Sequence, residues 1–530
     1  MEKIKSFFWR KKIILVLSAI ILLAIFLRLH NTQYWLRFND DQVRDALVVD
    51  RMVSGEEFPL LGPKAGGTRF KLGPAFYYIE YLSAATFQKS PIDLAYPIIF
   101  FSVLSILLFF YIGRKIFGTK ISLILTFLFS ISAFAIKYSR FAWNPNIMPF
   151  FILLLFLSFH QLNRKNLSQK SRWIWSAIIG ITIGVSLQLH TTLLFIVPIF
   201  CILLFLHQFI KKSLHPAPFL MIIGLIFLTN LPSIIYEVRS DGKNFAAFSQ
   251  GFLEKTTTRI SLPEKIQNSL VCSVQSHTAI LSGVLLSDDC DMFSKNNRKL
   301  SWFWPVTLGS FLFFFGGLLL FLKDFFREKN SDRKYLLGII LVFLLLFSSL
   351  LIPLGEEVSL RFFIALLFSP FLFLGFWMKL FSNWPKKAYI FIVIIATVLI
   401  VASNAIFFQK IFLSTDEGKF FGGNRLGDID PVAQYIASDV RKNPQQKPFV
   451  FSFGATRPLE YLIEKRGVRE IRYNSSPEEM SEENSPSATA YVVDNDSSGK
   501  DKNQDSFPGF EIVEEKDLGK YTVFKITPKK

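Results

Sequence analysis

Apolar positions along the chain gather into long blocks instead of repeating with the period of an amphipathic helix or a half-buried strand. Such runs fall at roughly 13–29, 94–116, 119–136, 147–162, 172–189, 191–210, 217–235, 301–322, 335–354, 361–380 and 388–409. Runs of about 17 to 23 residues cross a hydrocarbon core of about 30 Å. The pattern therefore predicts a polytopic α-helical membrane protein with about eleven transmembrane helices. Lys11 and Lys12 precede the first run, which ends in Arg28-Leu29-His30 without a small-residue cleavage pattern, so it reads as a retained anchor. After about 410 the pattern shortens into a small C-terminal α/β domain. There Pro431–Lys442 and Pro458–Lys465 read as helices, and Pro448–Phe453 and Tyr491–Asp494 as strands. Phe510–Val513 and Tyr521–Ile526 read as a closing hairpin across Asp517–Lys520, and 474–488 as a loop.

Composition narrows this picture. Of 530 residues, 51% are apolar and only 19% charged, against about 25% charged in a soluble domain. That excludes a disordered, collagen-like or disulfide-scaffold chain. The net charge of +18 raises the question of nucleic acid. Up to Lys410, however, there are 42 Lys and Arg against 21 Asp and Glu, and beyond it 17 against 20. The tail is slightly acidic and nucleic acid is not the expected partner.

The excess is a topology signal. With the N-terminus inside, segments 1–12, 113–120, 161–172, 210–216, 323–334 and 381–387 carry 5, 3, 4, 2, 5 and 2 basic residues. The short outer loops 137–146, 189–192 and 354–361 carry 2, 0 and 1, the bias expected of a positive-inside protein. The expected organisation is a membrane domain over 1–410, with a first outer loop at 30–93 and a second at 236–300. An extracytoplasmic α/β domain follows over 411–530, in a multi-pass plasma or inner membrane protein with a cytoplasmic N-terminus. Cys272 and Cys290 share the second loop and form either a disulfide or two free thiols; Cys201 reads as packing within a span.

The sharpest chemical signal is Phe38-Asn39-Asp40-Asp41-Gln42-Val43-Arg44-Asp45-Ala46, just past the first span. Two adjacent carboxylates precede an arginine one helical turn on. One reading is structural, with Asp40 as an N-cap. The other is catalytic, with a carboxylate at the lipid boundary taking a proton from an attacking hydroxyl. Downstream, Pro59-Leu60-Leu61-Gly62-Pro63 and Arg69-Phe70-Lys71-Leu72-Gly73-Pro74-Ala75-Phe76-Tyr77-Tyr78 complete the loop. Arg69 and Lys71 serve either general attraction to anionic headgroups or specific phosphate binding.

This arrangement resembles the GT-C membrane glycosyltransferases, in the group of the protein O-mannosyltransferases and the lipid A aminoarabinose transferase. Asp40-Asp41 is similar to the acidic pair that opens their first outer loop, and Gly73-Pro74-Ala75-Phe76-Tyr77-Tyr78 to their proline-aromatic segment. Tyr138-Ser139-Arg140-Phe141-Ala142-Trp143-Asn144-Pro145-Asn146 resembles the Arg and Asn-Pro pattern after the third span, and Arg361-Phe362-Phe363 a later basic-aromatic motif. His190 ends a span on the same expected face. The resemblance implies transfer of a sugar from a polyprenyl-phosphate donor to an acceptor hydroxyl on the extracytoplasmic face, with inversion, in cell-envelope glycan, glycolipid or protein glycosylation. It implies Asp40 as base with Asp41 beside it, and donor-phosphate contacts drawn from Arg44, Arg69, Lys71, Arg140 and Arg361. Tyr77, Tyr78, Asn144 and His190 would line the substrate cavity. Lys71 departs from the pattern, since Leu-Gly-Pro and not a Pro-Pro pair follows it.

Other features carry less. Asp428-Ile429-Asp430 imitates a metal-holding Asp-X-Asp but leads toward a helix, and Gly180 with Gly184 reads as helix packing. His160, His207 and His215 lack metal-ligand spacing, and no phosphate loop of the Walker type occurs. The sequence requires no cofactor and designates no metal ligands, while leaving a divalent ion open. The competing reading is a secondary transporter or flippase of lipid-linked saccharides, which should carry ionisable residues near the bilayer midplane.

Overall fold

The structure is a computed structural model describing residues 2–87, 91–164, 166–256, 260–284, 289–413, 423–443, 448–452, 454–469, 471–474, 489–494, 507 and 509–529. Most of the loop expected at 474–488 lies outside the described residues. The chain forms two compact units. The first comprises Met1–His30, Met52–Gln88 and Asp93–Phe420; the second comprises Asn31–Arg51, Lys89–Ile92 and Phe421–Lys530. A cut at 410 thus assigns all of the first outer loop to the membrane domain, whereas the structure groups Asn31–Arg51 with the C-terminal residues.

The first unit is helical. Among the described residues nine helices are long and apolar enough to cross a membrane: Lys11–Leu29, Ile92–Phe117, Asn144–Leu162, Gln169–Leu189, Thr191–Ile210, Pro216–Arg239, Phe303–Arg327, Ser331–Leu354 and Lys386–Phe412. Two expected spans take other forms. Leu360–Leu366 and Ser369–Phe381 form one apolar pair bent by 61°. The run at 119–136 is the short helix Thr119–Ile131, broken at Ser132 before Ala133–Tyr138. The Ser132 hydroxyl caps the new helix by accepting from the Ala135 N–H.

The abundant phenylalanines are the packing material of this unit. Phe129 stacks on Phe371 at 5.0 Å and meets Phe109 edge-on at 5.4 Å, while Phe156 meets Phe343 edge-on at 5.2 Å. Tilted and edge-to-face rings fill space between helices with favourable quadrupole contacts. Gly180 and Gly184 do what small residues at that spacing do: a Cβ on Gly184 would fall 1.8 Å from the Thr229 hydroxyl, so helix Gln169–Leu189 lies close on Pro216–Arg239.

The segment expected as the second outer loop is largely helical among the described residues. Lys243–Thr256 is amphipathic, and Leu262–Ser282 has buried Ser269, Cys272, Ser273, Gln275, Ser276 and His277. Several polar groups of this helix are met by neighbours distant in sequence. Ser269 donates to the Leu351 carbonyl at 3.0 Å, His277 Nε2 meets the Ser369 hydroxyl at 2.9 Å, and Asn404 donates to the Leu281 carbonyl at 2.9 Å. A disulfide joins Cys272 to Cys290.

The second unit holds a five-stranded sheet of β1 (Phe449–Ser452), β2 (Arg472–Asn474), β3 (Ala490–Asp494), β4 (Phe510–Asp517) and β5 (Thr522–Pro528), in the order β2-β1-β3-β5-β4. Strand β1 pairs parallel with β2 and β3, and β5 pairs antiparallel with β3 and β4. Phe449, Phe451, Val492, Phe510, Phe524 and Ile526 form its core. Strand β2 is absent from the sequence reading because three residues, Arg472-Tyr473-Asn474, are too few to show a period. Helix Leu426–Lys442 begins a turn earlier than expected and contains Pro431. It takes up Asp428-Ile429-Asp430, whose carboxylates accept from Tyr34 at 2.7 Å and Arg466 at 2.7 Å, so this pair is a structural brace.

Candidate functional site

The acidic segment lies in the second unit. Asn39, not Asp40, precedes the first turn of helix Asp40–Val53: its carbonyl accepts from Val43 N–H at 2.9 Å, and its own N–H donates to the Gln42 side chain at 3.1 Å. This reach-back from the third helical residue is half of a capping box. Asp40 is therefore freed from the capping role the sequence offered it and stands exposed as the first helical residue. Among the described residues no hydrogen bond or ion pair engages its carboxylate. Asp41, also exposed, accepts from Arg44 at 2.8 Å. Arg44 donates its other arm to the fully buried Asp45 at 2.8 Å. The two carboxylates are adjacent in sequence and differ in state: one is held, the other available.

Within the first unit, residues 62–72 form a tight hairpin. Gly62 N–H donates to the Leu72 carbonyl at 2.7 Å, Leu72 N–H to Pro63 at 3.0 Å, and Ala65 N–H to Phe70 at 2.9 Å. The turn Ala65-Gly66-Gly67-Thr68 closes by Thr68 N–H to the Ala65 carbonyl at 3.0 Å, with Gly67 at φ 72°. Positive φ at the third position is the type II requirement that glycine meets. Lys64 and Lys71 are paired across the hairpin, which directs both side chains to one face; both are exposed, as is Arg69. Lys64 is a residue the sequence reading missed, although the Gly66-Gly67 pair between short segments is a hairpin signal that could have found it.

Neighbouring elements hold this hairpin in place. Asn244, on helix Lys243–Thr256, accepts from the Lys71 N–H at 2.8 Å and donates to its carbonyl at 3.0 Å, and Phe70 meets Phe248 edge-on at 5.0 Å. At its far end Gln188 accepts from the Ala75 N–H at 3.1 Å and lies where a Cβ on Gly73 would be, 2.4 Å away. Gln188 immediately precedes Leu189, whose carbonyl accepts from buried Asn144. Next in sequence, His190 caps helix Thr191–Ile210, its Nδ1 within 2.8 Å of the Thr192 hydroxyl, and its ring meets Phe362 edge-on at 5.8 Å. Exposed Arg361 lies over that Phe362 ring at 6.0 Å. The structure thus brings Gly73, Ala75, Asn144, His190 and Arg361 into one neighbourhood. Tyr77 is buried on helix Ala75–Phe87, and the Tyr78 hydroxyl donates to the Pro59 carbonyl at 2.9 Å.

Arg140 stands apart from the exposed cations. It is buried, donates to the Leu27 carbonyl at 2.7 Å and to the His30 carbonyl, and lies over the Phe412 ring at 5.1 Å. Those carbonyls close the first span, so the geometry makes Arg140 a cap on a helix C-terminus, a position that favours a cation. Arg28 is likewise buried and donates to Ser102 at 2.9 Å and to the Ser130 carbonyl at 3.0 Å. Among the described residues no three His, Cys, Asp or Glu side chains group as a metal site.

Residues 55–240 match the family described as dolichyl-phosphate-mannose-protein mannosyltransferase. No curated protein sequence matches the chain. Among solved structures, the chain is similar to ArnT from Cupriavidus metallidurans bound to undecaprenyl phosphate, with a TM-score of 0.57 and 11% identity over 97% of this chain and 98% of that one. It is also similar to the oligosaccharyltransferase AglB from Archaeoglobus fulgidus in complex with an inhibitory peptide and a dolichol-phosphate, with a TM-score of 0.53 and 14% identity over 92% of this chain and 69% of that one. The chain is a multi-pass membrane protein with the GT-C membrane glycosyltransferase fold along nearly its whole length.

Proposed function

We propose that this protein is a glycosyltransferase that moves a sugar from a polyprenyl-phosphate donor to an acceptor hydroxyl, with Asp40 as general base. The observation that carries the proposal is the contrast within the acidic pair, exposed Asp40, unengaged among the described residues, beside Arg44-bound Asp41. The acceptor oxygen attacks the anomeric carbon as the bond from that carbon to the phosphate oxygen breaks, inverting the configuration. The hydroxyl proton passes to the Asp40 carboxylate. The departing polyprenyl phosphate needs no proton, but the charge developing on it needs fixed cations. Exposed Lys64, Arg69, Lys71 and Arg361 have the required chemistry. Arg44 instead serves Asp41 and Asp45, holding the first turn of the acidic helix.

The donor sugar is a hexose or a pentose, and the mannosyltransferase match over 55–240 makes mannose the first to test. The membrane is the plasma or inner membrane, with the N-terminus cytoplasmic and the reaction on the opposite face. The loop-charge bias supports that orientation, and so does the Cys272–Cys290 disulfide, a bond that persists in oxidising compartments. A purified preparation given a panel of polyprenyl-phosphate sugars should consume at least one and release polyprenyl phosphate. Asp40→Asn should slow that release by about 10²- to 10⁴-fold, the usual contribution of a positioned base. Consumption of none of the panel, or full activity in Asp40→Asn, would overturn the reading.

A further inference from the structure

The second unit joins the C-terminal sheet to the segment that carries Asp40, and the junction has a specific construction. Residues 36–39 pair antiparallel with 424–426: Phe38 N–H donates to the Asn424 carbonyl at 2.9 Å, and Leu426 N–H to the Leu36 carbonyl at 2.8 Å. The Asn424 N–H donates to Asn39 Oδ1 at 2.9 Å, one residue before Asp40. Close approach is built in at Gly423 and Gly427, where a Cβ would fall 2.1 Å from the Asn39 side chain and 2.0 Å from the Tyr34 ring. The far end of the acidic helix is fastened separately, Asp50 accepting from Tyr461 at 2.9 Å and from Lys465 at 2.9 Å.

Asn424 is itself held by the sheet. Its Nδ2 donates to the Gly454 carbonyl at 2.8 Å, just past the carboxyl end of β1. Its Oδ1 accepts from Tyr521 at 2.8 Å, at the residue preceding β5, whose first residue Thr522 pairs with Asp494 at the carboxyl end of β3. Strands β1 and β3 are parallel neighbours, and the strand next in sequence after β1 is at one edge of the sheet while the strand next after β3 is at the other. That is a topological switch point, where open sheets with parallel strands take their ligands. Here the chain places Asn424 at this crevice, and through it the loop that bears the acidic pair.

We propose that the C-terminal domain is a positioning domain for the Asp40 carboxylate, with Asn424 as the positioning residue at its crevice and the Asp50 clasp as its second point of hold. This rests on the assignment of Asp40 as base. The domain then acts on the chemical step and not on donor affinity, since it fixes where the base stands. A base displaced by about 1 Å costs on the order of 10²-fold in rate.

The test uses the full-length protein with Asn424→Ala, the milder Tyr461→Phe, and as control Tyr491→Phe, whose hydroxyl binds Asp439 within the same domain at 2.6 Å. Amide hydrogen exchange over residues 36–50 should rise about tenfold or more in Asn424→Ala, less in Tyr461→Phe, and not in Tyr491→Phe. This arm needs no substrate and reads the clasp independently of the base assignment. With polyprenyl-phosphate mannose as probe, or whichever sugar of the panel the wild type consumes, kcat should fall about 10- to 100-fold while KM for the donor stays within about twofold. Added to Asp40→Asn, Asn424→Ala should cost nothing more. Unchanged exchange in Asn424→Ala, or raised exchange with unchanged kcat, overturns the positioning role. Full activity in Asp40→Asn with raised exchange in Asn424→Ala would instead overturn the base assignment, leaving a clasp that serves another group.

Discussion

At the residue scale, the acidic pair shows how neighbours in sequence are given different work. Helix geometry places Arg44 one turn after Asp41, and buried Asp45 holds the other side of its guanidinium, so the arginine does not compete for Asp40. Asp41→Asn should therefore loosen the first turn and reduce turnover by about tenfold, well short of the loss in Asp40→Asn. The kcat of the two variants measured side by side checks this ordering. A second carboxylate gives a pH prediction. Burial raises the Asp439 pKa, but hydrogen bonds from Lys525 and Tyr491, both at 2.6 Å, outweigh it and hold the group below the usual carboxylate range. A depressed folded-state pKa contributes stability present above the unfolded value of about 4 and lost as pH falls through the folded value. Hydrogen exchange of β3 and β5 should accelerate below about pH 4, and Asp439→Asn should flatten that dependence. Candidate residues such as Asp40 and Asp41 were legible because two adjacent carboxylates stand just past the end of the first apolar run. Their partners were not: nothing local in the sequence shows that the Arg140 guanidinium meets the carbonyls of Leu27 and His30, more than a hundred residues away.

At the element scale, the apolar runs located the spans because a helix exposed to lipid must be apolar along its length. Helix Leu262–Ser282 escaped the same logic. Ser269, Gln275 and His277 are buried because the Leu351 carbonyl, Asp291 with the Met292 N–H, and the Ser369 hydroxyl supply their hydrogen-bond partners, so its hydropathy resembles a loop. The Cys272–Cys290 bond closes an 18-residue separation at that helix. Replacing both cysteines by serine should cost about 3 kcal/mol by the loop-entropy argument, read as a lowered thermal midpoint. The hairpin at 62–72 depends on a backbone contact: a Cβ on Gly62 would fall 2.1 Å from the Gly73 carbonyl oxygen. Gly62→Ala should destabilise the hairpin by about 1–3 kcal/mol, as overpacking does, and raise the donor KM by displacing Lys64 and Lys71. Substrate titration against the wild type reads that effect.

At the scale of the whole molecule, charge count and fold bear on different questions, orientation and architecture. The bias of basic residues in short loops supports the proposed sidedness, and the fold is similar to that of ArnT and AglB along nearly the whole chain. Cysteines introduced at exposed Lys516 and exposed Lys329 test the orientation. A membrane-impermeant thiol reagent applied to intact cells should label Lys516→Cys and leave Lys329→Cys unlabelled; the reverse pattern would invert the topology. The central claim is narrower, that Asp40 removes the acceptor proton in the step that breaks the bond between sugar and phosphate. Single-turnover release of polyprenyl phosphate, with donor and acceptor prebound, measures that step directly. The account predicts a rate in Asp40→Asn at least 10²-fold below the wild type, with donor binding retained. A single-turnover rate equal to that of the wild type would contradict it.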